Sequence, residues 1–227
     1  MTRVRVVPPI VLASQSPRRA QLMELIGLPF MVEPADVDET YPAGEAPEAH
    51  AGRLAREKAE VVAARRPEAL VVGSDTVVVV DGEVLGKPAD REQALAMLMR
   101  LQGREHRVLT GVAVVAPAVV GGDAADGERS WGWDRVASLE GDRRSASGVE
   151  AVRVWFRAFD EATALEYIAT GEPMDKAGAY GIQGYGATIV ERVDGDYFAV
   201  MGLALGRMIG LFRELGWRYN FRGLEPL

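Results

Sequence analysis

Two stretches of this sequence carry carboxylates in settings where they could do chemistry. Gly73-Ser74-Asp75-Thr76 follows an apolar, β-rich run. An aspartate at the C-terminal end of such a strand stands over the crevice where α/β proteins commonly bind ligands, and there it could ligate a metal or activate water. The competing reading is a turn aspartate joining two strands, Ala69–Gly73 and Val77–Val80. Asp36-Val37-Asp38-Glu39 sets alternating acids on a polar, proline-rich stretch. Such a run can share a cation or be a solvated acidic loop.

Cationic candidates complement these acids. Ser14-Gln15-Ser16-Pro17-Arg18-Arg19 lies between a short apolar run and a helical pattern. Helix N-terminal N–H groups attract anions, and arginine grips phosphate through paired hydrogen bonds. An ordinary helix start with solvated arginines is the alternative. Lys87, in Leu85-Gly86-Lys87-Pro88, is a further candidate phosphate contact or a solvated lysine. This is no P-loop, because the spacing from Gly82 is too short and Pro88 stands where a hydroxyl should hold magnesium. Asp175–Gly186 holds glycines that oppose regular structure and let backbone approach a ligand closely. Its glycine order is not a dinucleotide fingerprint, and a glycine-rich turn between two elements remains the other reading.

The elements that must position these residues follow from periodicity and punctuation. Ile10–Ala13 reads as a buried strand, followed by a helix with Ser16 at its N-cap and Pro17 at its first position, ended by Gly27. Phe30–Glu33 reads as a second strand. Glu48–Ala64 predicts a helix with Ala51, Leu54, Ala55 and Val62 on its buried stripe and Arg53–Glu57 and Arg56–Glu60 pairs on the wet side. Asp81-Gly82 signals a hairpin into Glu83–Leu85. Asp90 caps a helix to Leu101, Arg107–Val115 is a strand, and Pro117–Val149 reads as a long surface loop containing Trp131 and Trp133. Ala151–Phe159 predicts a strand, Asp160 caps a helix to Thr170, Thr188–Val193 and Tyr197–Ala199 read as strands, and Leu203–Leu215 as a closing helix. The alternation predicts a mixed α/β protein in one unit spanning residues 1–227, with 117–149 as an insertion.

Composition excludes several classes. The 227 residues carry a net charge of −7, which argues against a protein that coats nucleic acid. With no cysteine and two histidines, thiol nucleophiles and Cys- or His-rich metal sites lack material, so any metal falls to carboxylates and is a hard cation such as magnesium or manganese. The apolar run near the N-terminus is short and contains Pro8 and Pro9, which favours a first strand over a signal peptide. No stretch approaches the roughly 20 apolar residues that span a bilayer, so no membrane partner and a cytoplasmic location are expected.

Taken together and in order, LASQSPRR (Leu12–Arg19), RLAREKA (Arg53–Ala59), GSDT (Gly73–Thr76), GKP (Gly86–Pro88), Thr110-Gly111 and DKAGAYGIQG (Asp175–Gly184) resemble the Maf family, over about Ile10 to Gly216. The resemblance implies an elongated α/β fold of the Maf/ITPase-like kind, a mixed sheet with flanking helices and two lobes around a central cleft, and is compatible with a homodimer. It implies hydrolysis of a nucleoside triphosphate to the monophosphate and pyrophosphate with a divalent metal cation. By motif position, Asp75 is the expected proton acceptor for water, Glu39 and Asp75 the metal-holding acids, and Lys87 a third catalytic residue. Ser14, Arg18, Lys58 and Lys87 are expected around the phosphates, with Arg18, Thr76 and Gln183 at positions linked to substrate choice. Thr76 and Gln183 resemble the dTTP/UTP branch; the branch acting on 7-methyl-GTP carries Gln after the Asp and Glu in the glycine-rich segment. A nucleotide-binding regulator of cell division with little turnover is the alternative, disfavoured by the intact acids. The sequence departs from the family in the length of 117–149 and in Ala204, where a proline is common.

Overall fold

The computed structural model describes residues 7–117, 136–140 and 143–227, the second of these as backbone only. In chain order the elements are β1 (Ile10–Leu12), α1 (Pro17–Leu25), β2 (Met31–Val32), α2 (Pro47–Arg65), β3 (Leu70–Val80), β4 (Glu83–Leu85), α3 (Arg91–Leu101), β5 (Glu105–Val115), β6 (Val136–Glu140), β7 (Arg143–Phe156), α4 (Glu161–Ala169), β8 (Val190–Asp194), α5 (Tyr197–Met201), α6 (Leu205–Glu214), β9 (Trp217–Tyr219) and β10 (Leu224–Pro226). Eight strands form one mixed sheet, ordered β2-β1-β3-β5-β7-β6, with β4 added to β3 and β8 to β7; β9 and β10 make a separate hairpin. β1 is parallel to both β2 and β3, and the other pairings are antiparallel.

Strand period divides β3 cleanly. Val71, Val77 and Val79 face α2, whereas Leu70, Val72, Val78 and Val80 join the larger core formed with α1, α3, α4 and α6. Each such side chain, fully buried, contributes about 1.5–3 kcal/mol. The sheet's α2 face is closed by contact between backbones. An added Cβ on Gly73 would lie 2.2 Å from the carbonyl oxygen of Ala55, and one on Gly111 2.1 Å from that of Ala51. These two glycines let α2 sit directly on β3 and β5.

Three expectations are corrected. The Ala69–Gly73 and Val77–Val80 runs are one continuous strand, so Asp75 is neither at a strand's C-terminal end nor in a turn. Pairing with β5 runs unbroken from Val71 to Val79 and carries the polar residues along. Tyr197–Ala199 is helical: Asp196 accepts from the Phe198 N–H at 2.8 Å, and Gly202, at φ +116°, ends the turn. Cap chemistry there outweighs the strand preference of Tyr-Phe-Ala-Val. Finally, within the Pro117–Val149 stretch read as a loop, Val136–Glu140 is strand, and so is Arg143–Val149. Its small residues Ala146, Ser147 and Gly148 are buried because they pair with Val112–Val114 of β5. Residues 118–135 and 141–142, with Trp131 and Trp133, lie outside the described residues. No helix among those described is long and apolar enough to cross a membrane.

Candidate active site

The cleft exists because β3 is longer than its neighbours on one side. β1 pairs with residues 70–72 and β4 with residues 78–80, while β5 covers the opposite edge throughout. Among the described residues no strand pairs with 73–77 on the β1/β4 side. This notch lets adjacent residues that point to opposite faces, Asp75 and Thr76, reach the same cavity. That cavity, of about 620 Å³, is lined by every residue to which the family resemblance gave a role: Ser14, Arg18, Glu39, Lys58, Asp75, Thr76, Lys87 and Gln183. The volume lies within the range of small-molecule sites.

At its centre stands Lys58. Gly73 and Gly111 hold α2 against the sheet, so the lysine is directed onto Asp75; both are only 7% exposed. The ammonium contacts Asp75 Oδ1 at 2.7 Å and Glu39 Oε1 at 2.5 Å. Two acids 36 positions apart in sequence therefore share one cation. Burial opposes ionisation of Glu39, and the hydrogen bond and charge of Lys58, helped by Lys87 and Arg19, outweigh it and hold its pKa below the usual value. Of the other acids in that run, Asp38 instead caps its own loop, accepting from the Thr40 N–H and hydroxyl at 2.9 and 2.6 Å.

The loop bearing Glu39 is anchored to α2 by Arg53, which donates to Glu45 at 2.8 and 3.0 Å and to the Thr40 carbonyl at 3.4 Å. The expected Arg53–Glu57 pair is also present, at 3.1 Å. Arg53 thus does more than decorate the wet face: it fixes the height at which Glu39 meets Lys58.

Arg19, offered by the sequence together with Arg18 at the start of α1 but given no role by the family resemblance, also lines the cavity. Its Nε donates to Gly202 O at 2.8 Å, one terminal nitrogen donates to Ser14 Oγ at 3.1 Å, and the other lies 3.5 Å from Thr76 Oγ1. Burial pulls its pKa down, partly offset by Asp75. Thr110 donates to Ala199 O at 2.8 Å, so at the 2.9 Å contact between the two threonines it is Thr76 that donates to Thr110. The hydroxyl direction runs Arg19 to Thr76 to Thr110 to the α5 backbone, leaving Thr76 fixed as an acceptor from the arginine. Ser14 Oγ accepts from both Arg19 and the Ser16 N–H, which leaves its own proton for another acceptor. Arg18 crosses to Asp175 Oδ2 at 3.1 Å, and Lys176 holds the other oxygen at 2.6 Å. Burial works against the Asp175 carboxylate, and these two cations outweigh it and lower its pKa.

Five cationic side chains (Arg18, Arg19, Lys58, Lys87, Lys176) and three carboxylates (Glu39, Asp75, Asp175) line the cavity. A chain of net charge −7 therefore presents a locally positive cleft, which focuses an anionic substrate. The described residues hold no cluster of three or more His, Cys, Asp or Glu that could bind a metal by itself. Glu39 and Asp75, which meet on the Lys58 ammonium, supply two carboxylates, and a magnesium-like ion takes one or two carboxylates and completes its shell with water and substrate phosphates.

The family model for "Maf-like protein" matches residues 9–215. The chain is 43% identical over 208 residues to a dTTP/UTP pyrophosphatase of Geobacillus sp. (strain WCH70), covering 92% of this chain and 98% of the relative. It is 44% identical over 208 residues to a dTTP/UTP pyrophosphatase of Pelotomaculum thermopropionicum, with 92% and 97% covered. A third dTTP/UTP pyrophosphatase, from Myxococcus xanthus, is 44% identical over 213 residues, with 92% and 95% covered.

Proposed function

The chain belongs to the Maf family, and from that premise we propose that it is a nucleoside triphosphate pyrophosphatase, hydrolysing dTTP and UTP to the monophosphate and pyrophosphate. The observation that carries the reading is the Lys58 ammonium holding Asp75 and Glu39 together in a cleft that also presents Arg18, Arg19 and Lys87. A triphosphate repels an attacking water; fixed cations neutralise it and stabilise the charge that builds on departing pyrophosphate. In our reading, Ser14 gives its unshared proton to a phosphate oxygen, and Arg18 and Lys87 grip the chain. Asp75 orients the water and accepts its proton as the bridging oxygen between the first and second phosphates leaves. Glu39 and Asp75 would hold the divalent cation, which when bound supplies Lewis-acid polarisation of the phosphates. A carboxylate is a weak base, so this contribution is needed. We infer a cytoplasmic setting, where nucleoside triphosphates are made and consumed.

Pyrophosphate release from a nucleotide panel with magnesium or manganese tests the reading, and absence of turnover on dTTP and UTP overturns it in favour of a binding-only regulator. Chelation is expected to abolish turnover and added magnesium or manganese to restore it. Glu39→Gln is expected to raise the metal concentration needed for half-maximal rate. A rate indifferent to both manipulations removes the cation from the reaction.

Base choice is assigned to Gln183, whose amide both donates and accepts and so matches the adjacent carbonyl and N3–H of thymine or uracil. A carboxylate only accepts, which suits the donor edge of guanine. Gln183→Glu is therefore expected to lower kcat/KM for dTTP and UTP relative to 7-methyl-GTP. An unchanged ratio, measured by competition between the nucleotides, rejects the assignment.

A further inference from the structure

Gln183 lines the cleft, but its main chain belongs to no strand; the stretch 181–186 runs through bends and a single-turn helix. Something else must fix it. The Gly181 N–H donates to Tyr167 Oη at 3.0 Å, the Tyr185 N–H to Glu172 Oε2 at 2.9 Å, and the Gly186 N–H to Glu172 Oε1 at 2.9 Å. Tyr167 Oη itself donates to Glu172 Oε1 at 2.8 Å. Backbone donors on both sides of Gln183 thus end on one phenol–carboxylate pair carried by α4 and the turn after it. Burial opposes the Glu172 charge, and the two backbone donors and the phenol outweigh it, so the group is an ionised acceptor at both oxygens. Burial raises the Tyr167 pKa and keeps the phenol a donor.

Space around the pair is equally committed. A Cβ on Gly184 would fall 2.3 Å from Glu172 Oε2, and one on Gly186 2.5 Å from Tyr167 Oη. Gly184 also has φ +67°. The glycines of this segment are explained by what lies behind it as much as by a ligand in front of it.

We propose that Glu172, acting with Tyr167, is a positioning residue for base selection: it fixes the backbone from which Gln183 meets the nucleobase. The proposal rests on the reading of Gln183 as the base-contacting group. Neither Glu172 nor Tyr167 lines the cleft, so both act through the segment they hold.

Glu172→Gln keeps the shape but turns one oxygen into a donor facing a donor. Tyr167→Phe removes only the link to Gly181 and the bond to Glu172. Steady-state kcat and KM would be measured on dTTP, UTP and dGTP for both variants, for Gln183→Ala and for the Glu172→Gln/Gln183→Ala double variant, with melting temperatures alongside. Glu172→Gln is expected to raise KM for dTTP and UTP about tenfold, the scale of a lost hydrogen bond to a charged group, with kcat largely kept. The dTTP-over-dGTP preference should shrink in step, Tyr167→Phe should move the same way by less, and the double variant should select no worse than Gln183→Ala alone. Loss of preference in Gln183→Ala with wild-type preference in both Glu172→Gln and Tyr167→Phe overturns the proposal. So does an equal loss on all three nucleotides, which a purely structural role predicts. If Gln183→Ala keeps the preference, it is the reading of Gln183 that has failed, and the role of Glu172 falls with it. Should Glu172→Gln fail to fold, Tyr167→Phe decides.

Discussion

Asp75→Asn is expected to lower kcat for pyrophosphate release by about 10²–10⁴-fold, the usual contribution of a positioned general base, with KM much less affected. The variant is close to isosteric and removes one charge. Lys58, which contacts both acids, retains Glu39 at 2.5 Å, so its ammonium is not left unpaired in the cleft. That matters because stripping the last partner from a buried charge costs about 3–5 kcal/mol and would confuse unfolding with lost chemistry. The expected result is therefore a folded protein, with a melting curve near that of the wild type, that binds nucleotide and does not turn it over. Near-wild-type turnover would show that another group takes the proton from water, and would remove the central assignment.

Gly111→Ala is expected to damage stability and activity together. Gly111 is paired directly across from Asp75, and its added Cβ would meet backbone atoms of α2, Ala51 O at 2.1 Å and Ala51 C at 2.6 Å. Backbone cannot rotate away, so the helix must lift. Overpacking of this kind costs about 1–3 kcal/mol, and each kcal/mol shifts Tm by roughly 2–4 °C in a chain of this size. Lys58 rides on the displaced helix, so its contacts with Asp75 and Glu39 lengthen and turnover falls. Gly206→Ala serves as the control: the same change in α6 meets nothing within 4 Å and is expected to be neutral or to stabilise by up to about 1 kcal/mol. Thermal melts and dTTP turnover on the two variants check this. A Gly111→Ala protein with wild-type Tm and rate would mean that α2 is not seated by the glycine.

Much of the site was legible from residue order because its chemistry is local. The start of α1 at Ser16-Pro17, the hairpin at Asp81-Gly82, and the caps at Asp90 and Asp160 depend on neighbours within a few positions, and the structure forms each of them. Long-range pairing is another matter. Arg143–Val149 looked like loop because its small residues carry little strand preference; β5 supplied the partner that made them strand. Asp196 and Gly202 turned Tyr197–Met201 into helix and set Gly202 O where Arg19 and Ser74 meet it.

Residue types alone determined that any metal must be held by oxygen, that the cations for a phosphate chain are present, and which acids were candidates. Only the tertiary structure decided that Glu39 and Asp75 share Lys58, that Arg19 as well as Arg18 enters the cleft, and that Asp75 and Thr76 open onto one cavity from opposite faces of a strand. The physical reason is that these juxtapositions depend on where β1 and β4 stop along β3 and on how closely two glycines let α2 approach, quantities set by pairing register and backbone contact between segments distant in the chain.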